Sequence, residues 1–153
     1  MNITIDYMTE DNLHDVWMVE SSSFSHPWSE QSFKDELKNK AAKYLVAYSD
    51  MQVTGYVGMW EICGQCDITN IAVMPEFRRM GIGRKLLLSL IEYCQINSLS
   101  PITLEVRKTN TPAINLYRGM GFKDIGFRKK YYQDTGEDAI IMSYDVLNKT
   151  EGK

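Results

Sequence analysis

The chain has 153 residues, 44% of them apolar and 24% charged, which is the composition of an ordinary globular domain long enough to bury a core without staples. A formal net charge of −3 and a pI of 5.4 disfavour a general nucleic-acid-binding surface and suit a basic peptide partner. Met1 to Asn12 carries Asp6, Glu10 and Asp11 and no apolar segment, so no signal peptide is read there; no run reaches transmembrane length, and a cytoplasmic location is expected.

Ile3, Ile5 and Tyr7 alternate with polar residues and predict a first strand. Thr9 is placed to cap a helix whose Leu13, Val16, Trp17 and Glu20 or Ser21 share a side. Ser25-His26-Pro27-Trp28 interrupts it, and Ser29 starts a second helix with Phe33 and Leu37 inward. Tyr44–Tyr48, Val53–Ile62 and Cys66–Met74 read as an antiparallel meander, the last strand closed by Pro75. Ile82, Leu86, Leu90 and Cys94 recur at helical spacing, Ser98–Pro101 breaks the pattern, and Ile102–Val106 is a further strand. Asn110-Thr111-Pro112 is a strong helix start and Gly121 its left-handed end. Phe122–Lys130 and Ala139–Val146 are the final strands, around the polar loop Gln133–Glu137. One domain over residues 1–147 and a frayed polar tail at 148–153 are expected. The three cysteines, an odd number, do not suggest a disulfide framework; Cys63 and Cys66 form a single C-x-x-C without a second pair and read as a hairpin turn, with no metal, and Cys94 as helix core.

The stretch Cys66–Cys94 carries the most chemistry. Between its strand and helix lies Arg78-Arg79-Met80-Gly81-Ile82-Gly83-Arg84, followed by Lys85. Glycines let the backbone turn and remove side chains that would hold a ligand off. A helix N-terminus adds unpaired N–H groups and partial positive charge, so the predicted ligand is a pyrophosphate. A P-loop needs G-x-x-x-x-G-K-[ST], which is absent. A dinucleotide fingerprint lacks its third glycine, Leu86 standing there, and six residues separate the strand from Gly81.

Arg78-x-x-Gly81-x-Gly83 resembles the acetyl-CoA loop of the GNAT N-acetyltransferases, [RQ]-x-x-G-x-[GA]. Trp28-Ser29-Glu30, Asn70-Ile71-Ala72-Val73, Leu104-Glu105-Val106-Arg107, Asn110, Ala113-Ile114-x-Leu116-Tyr117, Gly121-Phe122, Tyr131-Tyr132 and Glu137–Met142 extend the likeness over most of the chain, in the order of the RimI-type ribosomal-protein-alanine acetyltransferases. Arg78 stands where that type often has Gln, and both fit the general pattern. The resemblance implies an α/β fold with a single mixed, mostly antiparallel sheet in the order βααβββαβαββ and helices on both faces. It implies acetyl-CoA as cosubstrate, held by Arg79, Met80, Gly81, Ile82, Gly83, Arg84 and Asn110, with the backbone of Ile71, Ala72 and Val73 on the pantetheine arm. The acceptor it implies is the N-terminal alanine of a small-subunit ribosomal protein.

Acetyl transfer to an amine needs a base for the amine and an acid for the leaving thiolate. Glu105, bracketed by Leu104 and Val106 on a strand, reads from spacing alone equally as a base or as a salt-bridge partner of Arg107 at i+2; the resemblance decides for the base. Tyr117 reads alone as core, and by resemblance as the general acid. Trp28 and the first two helices on one side, with Tyr131, Tyr132, Asp134, Glu137 and Asp138 on the other, suggest a peptide groove whose negative charge suits a basic acceptor. Competing readings are another amine acceptor, namely a lysine side chain, polyamine or small molecule, a non-catalytic CoA-binding or partner-binding module, and a dinucleotide-binding protein.

Overall fold

The computed structural model describes residues 2–147. In chain order they form β1 (Ile3–Tyr7), α1 (Leu13–Ser23), α2 (Glu30–Lys38), β2 (Ala42–Ser49), β3 (Gln52–Ile62), β4 (Gln65–Val73), α3 (Ile82–Ile96), β5 (Ile102–Arg107), α4 (Thr111–Gly119), β6 (Lys123–Tyr132) and β7 (Glu137–Tyr144), with a 3₁₀ turn at Pro75–Phe77. The strands make one sheet in the order β1-β2-β3-β4-β5-β7-β6, antiparallel at every step except β4 beside β5. The expected tail at 148–153 lies outside the described residues. Among those described, no helix is long and apolar enough to cross a membrane.

Alternation along the strands divides the apolar side chains between two layers. Leu45, Val57, Ile68, Leu104, Val106 and Met142 face α3 and α4, where Leu86, Leu87, Leu90 and Tyr117 meet them. Tyr44, Val46, Tyr56 and Ala72 face the other way, onto Val16 and Val19 of α1 and Phe33 of α2. Caps set the helix starts: Ser29 accepts from the Ser32 amide at 3.1 Å, and Asn110 from the Ala113 amide at 3.3 Å.

Two expected boundaries are corrected. Asn12, not Thr9, precedes α1; its Oδ1 accepts from the Thr9 amide and its Nδ2 donates to the Tyr7 carbonyl and the Tyr48 hydroxyl, so it ties the helix to β1 and β2 instead of capping with its side chain. Strand β6 continues past Lys130 to Tyr132. Lys130 takes φ +51 in an irregularity between Arg128 and Tyr132, and its amide is held by Asp138 Oδ1 at 3.0 Å. The connecting turn therefore shrinks to residues 133–136, with Gly136 at φ +74. Cys63 sits exposed in the β3–β4 turn, whereas Cys66 is buried beside Cys94, whose thiol together with burial pushes that of Cys66 up.

Candidate active site

β4 and β5 hydrogen-bond through Cys66–Ile102 and Asp67–Thr103 and then part. The parting begins where β4 bulges: its pairing with β3 steps from Met59–Ile68 to Gly58–Asn70, leaving Thr69 as an extra residue that bends the strand. Beyond this point β4 stays with β3 and β5 stays with β7, so their facing edges are open. The phase of the antiparallel ladder says which groups are free. Met74 donates to Thr54 at 2.8 Å, so Met74–Thr54 and Ala72–Tyr56 are hydrogen-bonded pairs, while Ile71 and Val73 turn their N–H and C=O to the open edge. The Val73 carbonyl accepts from Arg78 Nε at 2.9 Å. Of the three expected pantetheine residues, then, Ile71 and Val73 offer backbone groups to the gap and Ala72 is committed to β3.

At the carboxyl end of β4, Arg79 at φ +66 and Gly81 at φ +82 bend the chain into α3. The first helical bond runs from the Lys85 amide to the Gly81 carbonyl, 3.0 Å, and no side chain caps the helix. The amides of Ile82, Gly83 and Arg84 are thus left for an external acceptor, with the Arg84 and Lys85 side chains beside them. The two glycines differ in purpose. Gly81 provides the left-handed turn, with nothing within 4 Å of a Cβ built there; at Gly83 a Cβ would lie 3.3 Å from Leu116 Cδ2, so its bareness lets α3 approach α4. Asn110 spends its side-chain oxygen on the α4 cap and keeps its Nδ2 available.

Glu105 and Tyr117 lie on opposite sides of the sheet. Leu104 and Val106 point into the α3–α4 core that also holds Tyr117, which places Glu105 on the α1–α2 face. The strand pair β4–β5 parts between the two layers that hold them. Glu105 pairs through Oε2 with Arg128 Nε of β6 at 3.3 Å, not with Arg107, and is about one-third exposed at 31%. Its Oε1 has no bonding partner among the described residues. Tyr117 packs on Phe122 with centroids 5.7 Å apart. Burial, and then the nearby Tyr132, push its phenol above the usual tyrosine range, so it stays protonated across neutral pH.

Of the residues expected to line a peptide groove, the acids are engaged by basic and backbone groups. Trp28 is half-buried against Phe33, its backbone held at both ends: its amide donates to Glu20 at 2.9 Å and its carbonyl accepts from Trp17 Nε1 at 3.1 Å. Opposite, Tyr131 and Tyr132 meet edge to face, 5.1 Å between centroids. Asp134 and Glu137 are paired, not free acids. Arg107 bonds both, Glu137 also accepts from the Thr109 amide at 2.8 Å, and Asp138 is used on Lys130. His26 Nδ1 comes within 3.9 Å of Asp134, so the α1–α2 loop and the β6–β7 turn meet there.

A family model, "Acetyltransferase (GNAT) family", matches residues 12–122. The chain is a GNAT acetyltransferase. It is 42% identical over 136 residues, 88% of this chain and 90% of the other, to a Bacillus subtilis (strain 168) protein named provisionally as a ribosomal protein bS18-alanine N-acetyltransferase. It is 33% identical over 147 residues, 94% and 97% of the two chains, to a Salmonella typhimurium protein that carries that name without qualification. The crystal structure of the Escherichia coli ribosomal-protein-S18-alanine N-acetyltransferase superposes with a TM-score of 0.88 at 29% identity, covering 95% and 94%.

Two features of this GNAT acetyltransferase escape the sequence reading. Glu20 is 2% exposed; its carboxylate accepts from the Tyr56 hydroxyl, from the Trp28 amide and, at 3.4 Å, from Asn70 Nδ2. One carboxylate thereby joins α1, the α1–α2 loop, β3 and the β4 bulge. A charged residue on the apolar side of α1 was the available signal. Arg128, the partner of Glu105, had none, because the irregular pairing of β6 decides which of its side chains face β5.

Proposed function

We propose that this acetyltransferase moves the acetyl group of acetyl-CoA to the N-terminal amine of a small-subunit ribosomal protein, alanine being the acceptor residue, with Glu105 as general base and Tyr117 as general acid. The observation that carries the reading is the opening between β4 and β5, with a free carboxylate oxygen on one face, a protonated phenol on the other, and an uncapped helix N-terminus at its carboxyl end. Open parallel strand ends beside a helix N-terminus are where phosphorylated ligands bind in α/β sheets.

In this mechanism the amides of Ile82, Gly83 and Arg84 hold the pyrophosphate, with Arg79 and Met80 in the approach and Asn110 on the far side. Ile71 and Val73 pair with the pantetheine arm as a strand would. The acceptor amine enters from the α1–α2 face between Trp28 and Tyr131–Tyr132. It gives a proton to Glu105, directly or through a water, and its lone pair attacks the thioester carbon. The tetrahedral intermediate collapses, the C–S bond breaks, and Tyr117 protonates the departing sulfur; the nitrogen loses its extra proton to solvent as the amide forms, and Tyr117 regains a proton from solvent. The names of the relatives support the ribosomal acceptor.

The test is acetylation of a library of N-terminal peptides, with free and blocked N-termini, read by mass spectrometry. Acetyl on the α-amine of alanine-starting basic peptides is expected. Label on lysine side chains or small amines would reassign the acceptor, and no transfer to any amine would leave a CoA-binding module.

A further inference from the structure

Arg107 lies two residues beyond Glu105 on the same face of β5, at the strand's open end, where β4 no longer flanks it. Its guanidinium reaches across to the β6–β7 turn. Nη2 is 2.8 Å from Asp134 Oδ2, and Nη1 is 3.1 Å from Asp134 Oδ1 and 3.4 Å from both Glu137 Oε1 and Thr135 Oγ1. The guanidinium carbon stands 4.1 Å from the centre of the Tyr132 ring. Such a two-pronged, stacked arrangement uses the planar fork of arginine, which lysine does not have.

Beyond its ladder to β7 and polar contacts such as Lys130–Asp138, Thr109–Glu137 and Arg128–Glu105, the wall that Arg107 holds has little apolar packing to order it. β6 is an edge strand, exposed at every position from Lys123 to Tyr131, and its ladder to β7 is broken twice. Without apolar burial a segment of this kind opens easily. Its last residue, half-buried Tyr132, lies against the Arg107 guanidinium and near enough to both Glu105 and Tyr117 to interact with them electrostatically.

We propose that Arg107 is a positioning residue for acetyl transfer, locking the β6–β7 turn to the end of β5 and setting Tyr132 as the wall against which the acceptor amine is aligned. The inference rests on the N-terminal acceptor reading above. The Arg107 side chain touches none of the residues assigned to the pyrophosphate; only its backbone carbonyl, which a substitution keeps, accepts from the Asn110 amide at 2.9 Å, so the effect of the side chain falls on the acceptor side.

The experiment is steady-state kinetics of Arg107→Lys and Arg107→Met with an alanine-starting basic peptide and acetyl-CoA, alongside thermal melting. Both variants are expected to lose at least tenfold in kcat/KM for the peptide while KM for acetyl-CoA stays within twofold. Recovery by Arg107→Lys would show that charge alone matters and would overturn the proposal. So would a lower Tm with unchanged peptide kinetics, the mark of a plain structural brace. If the Arg107 variants do not fold, Asp134→Asn cuts the clamp from the turn side and should give the same split; unchanged peptide kinetics there would also overturn it. A wild-type chain that acetylates no free N-terminus removes the acceptor reading and this inference with it, whereas an active wild type with indifferent variants removes this inference alone.

Discussion

An α-amine has a reference pKa of about 8, so at neutral pH most of it carries a proton that must go before attack. The unengaged Oε1 of Glu105 can take that proton while Oε2 remains on Arg128. Glu105→Gln keeps the size of the side chain and removes the basic oxygen. We expect turnover at pH 7 to fall about a hundredfold, the lower end of what general base catalysis contributes, with acetyl-CoA affinity unchanged. Because the unprotonated fraction of the amine rises with pH, the deficit should narrow towards pH 9; a constant deficit across the pH profile would remove Glu105 as base. The sign of the Tyr117 effect follows from burial, which favours the neutral phenol and holds its ionisation above the ordinary tyrosine range. No alkaline loss of activity below about pH 10 should therefore trace to Tyr117. Tyr117→Phe preserves the packing on Phe122 and should slow thiol release about a hundredfold. Stopped-flow detection of free thiol at the wild-type rate would return Tyr117 to the core.

At the scale of elements, the start of α3 joins two requirements that the sequence shows as one motif. Gly81 is needed for its dihedral angle and Gly83 for its bareness against Leu116. Gly83→Val would drive a branched side chain into Leu116, so α3 would tilt away from α4. A loss of about 1–3 kcal/mol in stability is expected from the overpacking, together with weaker acetyl-CoA binding as the amides turn, measurable by urea unfolding and calorimetry. Unchanged binding in a destabilised protein would show that the helix mouth is not the anchor. Elements whose limits are set locally were legible in the sequence: Pro75 closes β4, Ser29 starts α2, and Asn110 with Pro112 starts α4. Limits set by tertiary partners were not. Asn12 is recruited by Tyr48, which is 36 residues away, and Lys130 stays in β6 because Asp138 holds its amide. In the candidate site, the glycine loop was readable from spacing, whereas Glu105 and Tyr117 were singled out only by the family resemblance, since spacing alone left the one undecided and the other in the core. Their pairings were not readable, since spacing offered Arg107 to Glu105 at i+2 and the fold gave Arg128 instead.

Across the whole molecule the two kinds of cohesion are unevenly shared. Six strands lie between or beside two apolar layers, whereas β6 and the β6–β7 turn are held mainly by polar clamps. The Asp134 carboxyl is kept below the usual range by Arg107, that of Glu137 by Thr109 and then Arg107, and that of Asp124 on β6 by Arg118. Carboxyls whose folded pKa is depressed contribute stability above their unfolded values, about 4, and lose it as pH falls through the lower folded values. Asp124 and Asp134 lie at exposed positions and Glu137 is partly buried but still reaches solvent, so each contribution is small and weakened by salt. Acid should then loosen the acceptor-side wall before the rest of the sheet. Hydrogen-exchange protection factors for residues 123–138 are expected to fall between pH 6 and pH 3 at low ionic strength, while those of α3 and β4 hold. Raising the salt at pH 6 should reproduce part of the same local loss, because it screens the same pairs. A uniform decline over α3, β4 and β6 would mean instead that the wall opens only with global unfolding, and that the clamps do no separate work in holding it.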